Sequence, residues 1–395
     1  MGINMIAAGI IAEYNPFHNG HALLAERARE AGADCIVSVM SGSFVQRGEP
    51  ALMNCEVRTR AALESGIDLV LQLPSVYAVS SAQRFARAGV AVFDGLGCVD
   101  RLVFGSESGD TEKIAAAADA VYCAEIEPLI SGQLEKGISF AAARENALRE
   151  LRPDTADIIK TPNDILGVEY VAALKFFGSQ IKPAAFARVG AEHDSSEAHS
   201  SFASASLIRS LIKSGGDWQG FVPAKAAEIY SRAELADIGR IENAVLYKLR
   251  TASAAELSDA PDVSEGIENR ILSAAKEAVS LEELYALAKT KRYSHARIRR
   301  IVMNYFLGVT AADLEIPVPY IRVLGFNSVG AELLRAAKQT AKLPLVTKAA
   351  DIADIGENAQ RIFGLECTAG DIFSLCYKKS LPCGEEKRFK PIIYR

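Results

Sequence analysis

The chain has no apolar run close to the roughly 20 residues a membrane-spanning helix needs, so no helical span is expected. Its first residues lack a cationic stretch ahead of an apolar one, and Ile6 stands where a myristoylation signal wants Ser or Thr. The expected location is therefore cytoplasmic. Cysteine is scarce and badly spaced for chemistry: seven residues, Cys35, Cys55, Cys98, Cys123, Cys367, Cys376 and Cys383, an odd number with no CxxC pair. That excludes a disulfide framework and a zinc ribbon, and no metal site is expected. A basic excess is missing too. Lys and Arg total 44 against 49 Asp and Glu, a net charge of −5. Any contact with a polyanion must come from a local patch. Aromatics are few, at 7%, and neither an internal repeat nor a low-complexity tract is visible.

The chain does have length and alternation. At 395 residues it exceeds one ordinary core and predicts two domains. Apolar runs at 5–12, 35–40, 67–73, 99–104 and 181–189 alternate with helical patterns at 21–31, 56–64, 80–93, 111–127, 133–151, 165–177 and 206–213. That is the pattern of an α/β fold, a parallel sheet with crossover helices. From about Pro223 helical patterns dominate. The expected division is a Rossmann-like ATP-binding catalytic domain over 1–220 and a mainly helical domain over 221–395.

In an open parallel sheet ligands gather at the carboxyl ends of the strands. The first strand ends in Glu13-Tyr14-Asn15-Pro16-Phe17-His18-Asn19-Gly20-His21, where the first helix begins. A helix N-terminus presents unpaired N–H groups and the positive dipole end, both suited to phosphate. Gly20 lets backbone approach a phosphate closely. His18 and His21 can donate hydrogen bonds to a triphosphate and stabilise charge as pyrophosphate leaves. Later, Ser204-Ala205-Ser206-Leu207-Ile208-Arg209 sets two hydroxyls and a guanidinium at the start of a short helix. That suits the outer phosphates of ATP; read alone, the motif is more readily a serine helix cap with a solvent-facing arginine.

The densest cationic stretch is Lys289-Thr290-Lys291-Arg292-Tyr293-Ser294-His295-Ala296-Arg297-Ile298-Arg299-Arg300, with no acid inside it. Lys289, Lys291, Arg292, Arg297, Arg299 and Arg300 are candidate contacts to an RNA backbone, with Tyr293 and His295 available to stack on an unpaired base. The alternative is a solvated helix face whose arginines pair with acids elsewhere. The tail from Tyr377 is also basic, but Glu385 and Glu386 dilute it.

The H-x-G-H turn followed by S-x-S-x-I-R resembles the HIGH-type nucleotidyltransferase superfamily. The longer string from Glu13 to His21 resembles the bacterial tRNA(Met) cytidine acetate ligase family. Further blocks in the same order extend the resemblance over most of the chain: 41–50, 104–107, 162–167, 265–270, 290–293, 297–298 and 322–326. The chain departs from the family pattern at Ser43, where Asn is expected, and at Asn54-Cys55, where an Asp-Lys pair is expected.

The resemblance implies a two-step reaction. Acetate and ATP give acetyl-adenylate and pyrophosphate, and the N4 amine of the wobble cytidine of elongator tRNA(Met) then takes the acetyl group. It implies ATP contacts from Ile11, Ala12, Glu13, Tyr14, Asn15, Pro16, Phe17, His18, Asn19, Gly20, His21, Ala22, Leu23 and Leu24, and from Gly105, Asn163 and Arg188. Acetate is already ionised at neutral pH, so the first step rests on positioning and charge neutralisation, with Mg²⁺ as the expected counter-ion. Two rivals use parts of the same pattern. A small-molecule adenylyltransferase has no need of 289–300, and a non-catalytic RNA-binding protein has no need of the two histidines.

Overall fold

The computed structural model describes residues 5–136, 138, 140–189 and 201–395. Its centre is a mainly parallel sheet. The strands are β1 (Ala7–Ala12), β2 (Cys35–Ser41), β5 (Leu69–Leu73), β6 (Arg101–Ser106), β7 (Lys182–Ala187), β8 (Ile321–Phe326) and β10 (Ile392–Ile393), with β9 (Leu345–Val346) pairing β8. A small hairpin, β3 (Phe44–Val45) and β4 (Glu49–Pro50), stands apart from it. The order across the sheet is β10-β8-β5-β2-β1-β6-β7, and only β8 runs antiparallel to its neighbour β5. β2 and β5 are buried along their whole length, because helices cover both faces. After β1 the chain adds strands first toward β5 and then, from β6, on the other side. The direction of winding reverses between β1 and β6, the place where an open α/β sheet leaves a crevice at its carboxyl edge.

Several expected elements shift for local reasons. The pattern over 111–127 is broken into helices Thr111–Val121 and Ile126–Leu134, and that over 133–151 becomes Phe140–Leu151. Pro128 explains the first break. Proline is tolerated in the first turn of a helix and breaks its interior. Thr161 caps the helix Pro162–Phe176, and Asn163 sits in its first turn.

The larger difference lies beyond residue 221. That region is mainly helical, but it also returns to the sheet through β8, β9 and β10, where sequence reading places no strand. β8 is hidden from a hydropathy pattern by Arg322. This arginine is buried within the strand, its Nη1 2.5 Å from a Glu386 carboxylate oxygen and its Nη2 2.7 Å from the Glu386 carbonyl. The basic tail thus folds back as β10 along β8. One apolar core runs from β2 and β5 through Phe85 and Phe93 into Val245, Ile271 and Ile301 of the helical region, so the two parts share an interior.

Candidate active site

The turn after β1 is held from several sides. Tyr14 adopts φ +46, a left-handed conformation that a bulky residue rarely takes and that requires support from its surroundings. That support is present. Asn15 Oδ1 accepts from Leu52 N–H at 2.8 Å, Arg209 Nη1 donates to the Asn15 carbonyl at 2.8 Å, and Phe17 N–H donates to the Tyr230 hydroxyl at 3.0 Å. Arg58, fully buried, donates to the carbonyls of Met53, Glu13, Ser41 and Gly42, tying the ends of β1 and β2 together.

The helix Asn19–Glu30 starts from this turn with His18 as its cap. His18 Nδ1 accepts from Gly20 N–H at 3.1 Å, and His18 N–H donates to His21 Nδ1 at 3.2 Å. A neutral imidazole whose Nδ1 accepts carries its proton on Nε2. Both rings line the same cavity, so each offers an Nε2–H donor there. Burial, and then the charges of Arg188 and Arg209, push the His18 pKa down to about 3. Burial, His18 and Arg188 hold His21 well below the usual histidine value. The pair therefore acts as neutral donors at pH 7 rather than as cations. Gly20 is required by close approach: a Cβ there would lie 2.9 Å from His18 Cε1.

The cavity sits at the β1–β6 crevice. From the stretch 11–24 it is lined by Ile11, Ala12, Glu13, Tyr14, Asn15, His18, Gly20, His21, Leu23 and Leu24. Pro16, Phe17, Asn19 and Ala22 do not line it. Phe17 packs edge-on against Tyr14, and Asn19 Nδ2 donates to the carbonyls of Ser201 and Gly220, both at 2.9 Å. Gly105, Asn163, Arg188, Ser204, Ser206 and Arg209 all stand on the wall, brought together from four separate segments. Ser204 is also the cap of the helix Ala205–Ser214, accepting from Leu207 N–H at 3.1 Å, with its hydroxyl 3.0 Å from that of Ser206.

Two blocks of sequence meet beside Gly105. Glu107 accepts from Asn163 Nδ2 at 2.5 Å and from Asp164 N–H at 3.0 Å, while Asp164 accepts from Ser106, Ser108 and Thr161. These bonds clamp the end of β6 to the start of the Pro162–Phe176 helix and fix Asn163 at the cavity, 3.5 Å from Arg188 Nη1.

Sequence reading missed Arg27, Arg47 and Tyr170 on this wall. Arg47 lies between β3 and β4, inside the block 41–50, so the signal for it was the block rather than the residue. The family departures fall elsewhere. Ser43, Asn54 and Cys55 are not among the lining residues; Asn54 caps the helix Cys55–Leu63, and Cys55 is buried beside Arg58.

Among the described residues, Glu13 is the only carboxylate on the wall. It accepts from Gln46 N–H at 2.9 Å. Burial raises its pKa, and outweighs the lowering effect of that bond and of Arg209, Arg47 and Arg58. A single carboxylate does not make a resident site for a divalent metal, and no cluster of three His, Cys, Asp or Glu stands together among the described residues. A Mg²⁺ ion arriving with ATP would belong to the substrate.

The basic segment divides. Arg297 donates to the Asp262 carbonyl at 3.0 Å and to Ser264 Oγ at 2.6 Å, Arg300 Nε meets the Asp262 carboxylate at 3.3 Å, and Arg299 pairs with Glu49. All three are held by partners within the chain. Tyr293 is buried, with its hydroxyl donating to the Glu265 carbonyl at 2.6 Å, and so cannot stack on a base. Lys289, Lys291 and Arg292 are exposed.

Residues 5–387 match the model of the HIGH Nucleotidyl Transferase family. The chain is 39% identical over 390 residues to the tRNA(Met) cytidine acetate ligase of Thermoanaerobacter sp. strain X514, covering 95% of this chain and 96% of the relative. It is 38% identical to that of Caldanaerobacter subterraneus subsp. tengcongensis, covering 98% and 100%. The fold superposes on the crystal structure of apo Thermotoga maritima TmcAL with a TM-score of 0.93 at 31% identity, covering 98% of this chain and 99% of that one. The same protein bound with alpha-thio ATP gives a TM-score of 0.91 at 30% identity, with the same coverage. No helix among the described residues is long and apolar enough to cross a membrane.

Proposed function

The chain belongs to the HIGH nucleotidyl transferase family and, within it, to the tRNA(Met) cytidine acetate ligases, and we propose that it uses ATP to join acetate to the N4 amine of the wobble cytidine in elongator tRNA(Met). In the first step an acetate oxygen attacks the α-phosphorus. The bond from that phosphorus to the bridging oxygen breaks, and pyrophosphate leaves with the electron pair. In the second step the N4 lone pair attacks the acetyl carbonyl carbon. The carbon–oxygen bond to the phosphate breaks, AMP leaves, and the amine gives up one proton. The reaction is assigned to the cytoplasm, where ATP and tRNA meet.

In this reading His18 and His21 bind the triphosphate and follow the charge that grows on it. The observation that carries this is the tautomer: each Nδ1 is taken by a backbone N–H, which leaves two Nε2–H donors on the cavity wall at a helix N-terminus. Preorganised neutral donors in a water-poor site stabilise developing charge without having to reorient. Arg188 and Arg209, on the same wall, supply fixed positive charge that stays on at any working pH. Glu13, at the end of β1, takes the proton released by N4. Lys289, Lys291 and Arg292, exposed on the segment that leads into the helix His295–Leu307, meet the tRNA backbone.

Acetate-dependent exchange of labelled pyrophosphate into Mg²⁺–ATP tests the first step. The expected result is exchange that needs acetate. Exchange at the same rate without acetate would remove acetyl-adenylate from the scheme.

A further inference from the structure

A second cavity opens beside the first, and Glu13, Arg47, Asn163 and Tyr170 belong to both walls. Its outer wall is the start of the helix His295–Leu307, with His295, Ala296, Arg299 and Arg300, and its floor includes Phe85 and Pro162. We propose that this second cavity receives the single tRNA base that is acetylated, a cytosine turned out of its loop, with its exocyclic amine directed at Glu13. The inference rests on the ligase reading above and assigns the acceptor its place within it.

Three observations converge. The first is space. The cavity at the histidines measures about 240 Å³ and the second about 580 Å³; small-molecule sites usually run from about 300 to 1,000 Å³. The second cavity is large enough for a single base. The second is surface chemistry. Pro162, exposed, and His295, half-buried, present ring faces on the wall, which suit an unstacked base, while the exposed Lys289, Lys291 and Arg292 precede His295 in the chain.

The third is hydrogen-bond polarity. Cytosine presents an N4 donor, and a carboxylate is its natural acceptor. Among the described residues Glu13 is the one carboxylate on either wall. Uracil would set O4 against it and be refused. Glu13 also sits where the cavities join, so an amine bonded to it faces the acetyl-adenylate across the junction. When the N4 lone pair attacks and AMP leaves, the carboxylate takes the N4 proton.

The hairpin of β3 and β4 holds this wall together. Gly48, at φ +73, packs against the Arg299 backbone, where a Cβ would come within 2.7 Å of its carbonyl group, and the neighbouring Glu49 pairs with Arg299. Gln46 N–H binds Glu13 from the same loop. The loop thus couples the acceptor wall to the end of β1.

Ala296 is exposed at the second position of its helix, so a large side chain there fills the cavity mouth without disturbing a core. In Ala296→Trp the expected result is acetate-dependent pyrophosphate exchange within about twofold of the parent and acetylation of tRNA down at least about tenfold. Ala296→Ser should keep both. In His295→Ala the expected change is a raised KM for tRNA with exchange kept. Exchange and acetylation falling together in Ala296→Trp would assign the cavity to the first step and overturn the proposal. Acetylation unchanged in Ala296→Trp would overturn it too. A parent protein that exchanges pyrophosphate but never acetylates tRNA would instead sink the ligase reading itself.

Discussion

The imidazole of His18 lies on that of His21, ring centroids 3.8 Å apart and planes 27° from parallel. Each ring spends its Nδ1 on the backbone, and each is kept neutral by burial. The two donors that remain are fixed before any substrate arrives. Replacing either histidine by Ala should lower the rate of acetate activation by about 10²–10³, the usual cost of one donor to developing charge. His21→Ala also leaves His18 N–H without its acceptor. Pyrophosphate exchange at saturating ATP checks this, and a loss of less than threefold for both variants would remove them from catalysis.

Buried neutral histidine makes the fold sensitive to acid. His18 has a folded pKa of about 3 against the ordinary histidine value of 6.5, so between those values the unfolded chain binds more protons than the folded one. Stability from this residue is therefore intact above pH 6.5 and declines as pH falls toward 3. By pH 5 the loss is about 2 kcal/mol. Urea unfolding at pH 7.5 and pH 5 should show a smaller drop for His18→Asn than for the parent.

Arg58 is fully buried and serves four carbonyl groups at the strand ends. Arg58→Met leaves those carbonyls buried without their donor. The expected cost is about 3 kcal/mol or more, read as a shift of the denaturant midpoint, and it should come with weaker ATP binding because the turn after β1 loosens. A midpoint within the error of the parent would contradict the assignment.

Glu13 ties the chemistry of the second step to pH. Its pKa lies above the ordinary 4.5 because it is buried, and only the carboxylate form can take the N4 proton. Transfer should therefore fall as pH drops through that raised value. Glu13→Gln should lower single-turnover transfer from preformed acetyl-adenylate more than it lowers acetate activation, and should flatten the acid limb. A pH profile identical to the parent's would exclude the base role.

The hairpin between β2 and the Cys55–Leu63 helix offers a test away from the ligands. Gly48 has φ +73 and no room for a Cβ against Arg299. Gly48→Ala should cost about 1 kcal/mol or more in stability and should reduce acetylation of tRNA more than acetate activation, since Arg299 stands on the acceptor wall. Equal losses in both steps would detach the hairpin from the acceptor.

Much of the cavity at the two histidines is legible in the sequence, because its parts are local. A strand, a turn with two histidines and a helix start lie within one stretch of chain, and Ser204 announces its helix as any cap does. What stays hidden depends on partners far along the chain. Arg299 and Arg300 look like free cations until Glu49 and Asp262 are beside them. Tyr293 looks available until its hydroxyl is seen bonded to the Glu265 carbonyl. β8 escapes notice because the charge of Arg322 interrupts its apolar run, and only the fold supplies the Glu386 that makes that charge tolerable. Arg58 has the local look of any helical arginine, although it joins β1 to β2.

The most direct test of the central claim is transfer of radiolabelled acetate to bulk bacterial tRNA, with and without ATP, followed by nucleoside analysis. The account predicts label in N4-acetylcytidine only when ATP is present, on elongator tRNA(Met), and an initial rate lowered by about 10²–10³ with His18→Ala. Folded protein that leaves elongator tRNA(Met) unlabelled in the presence of ATP and acetate would contradict it.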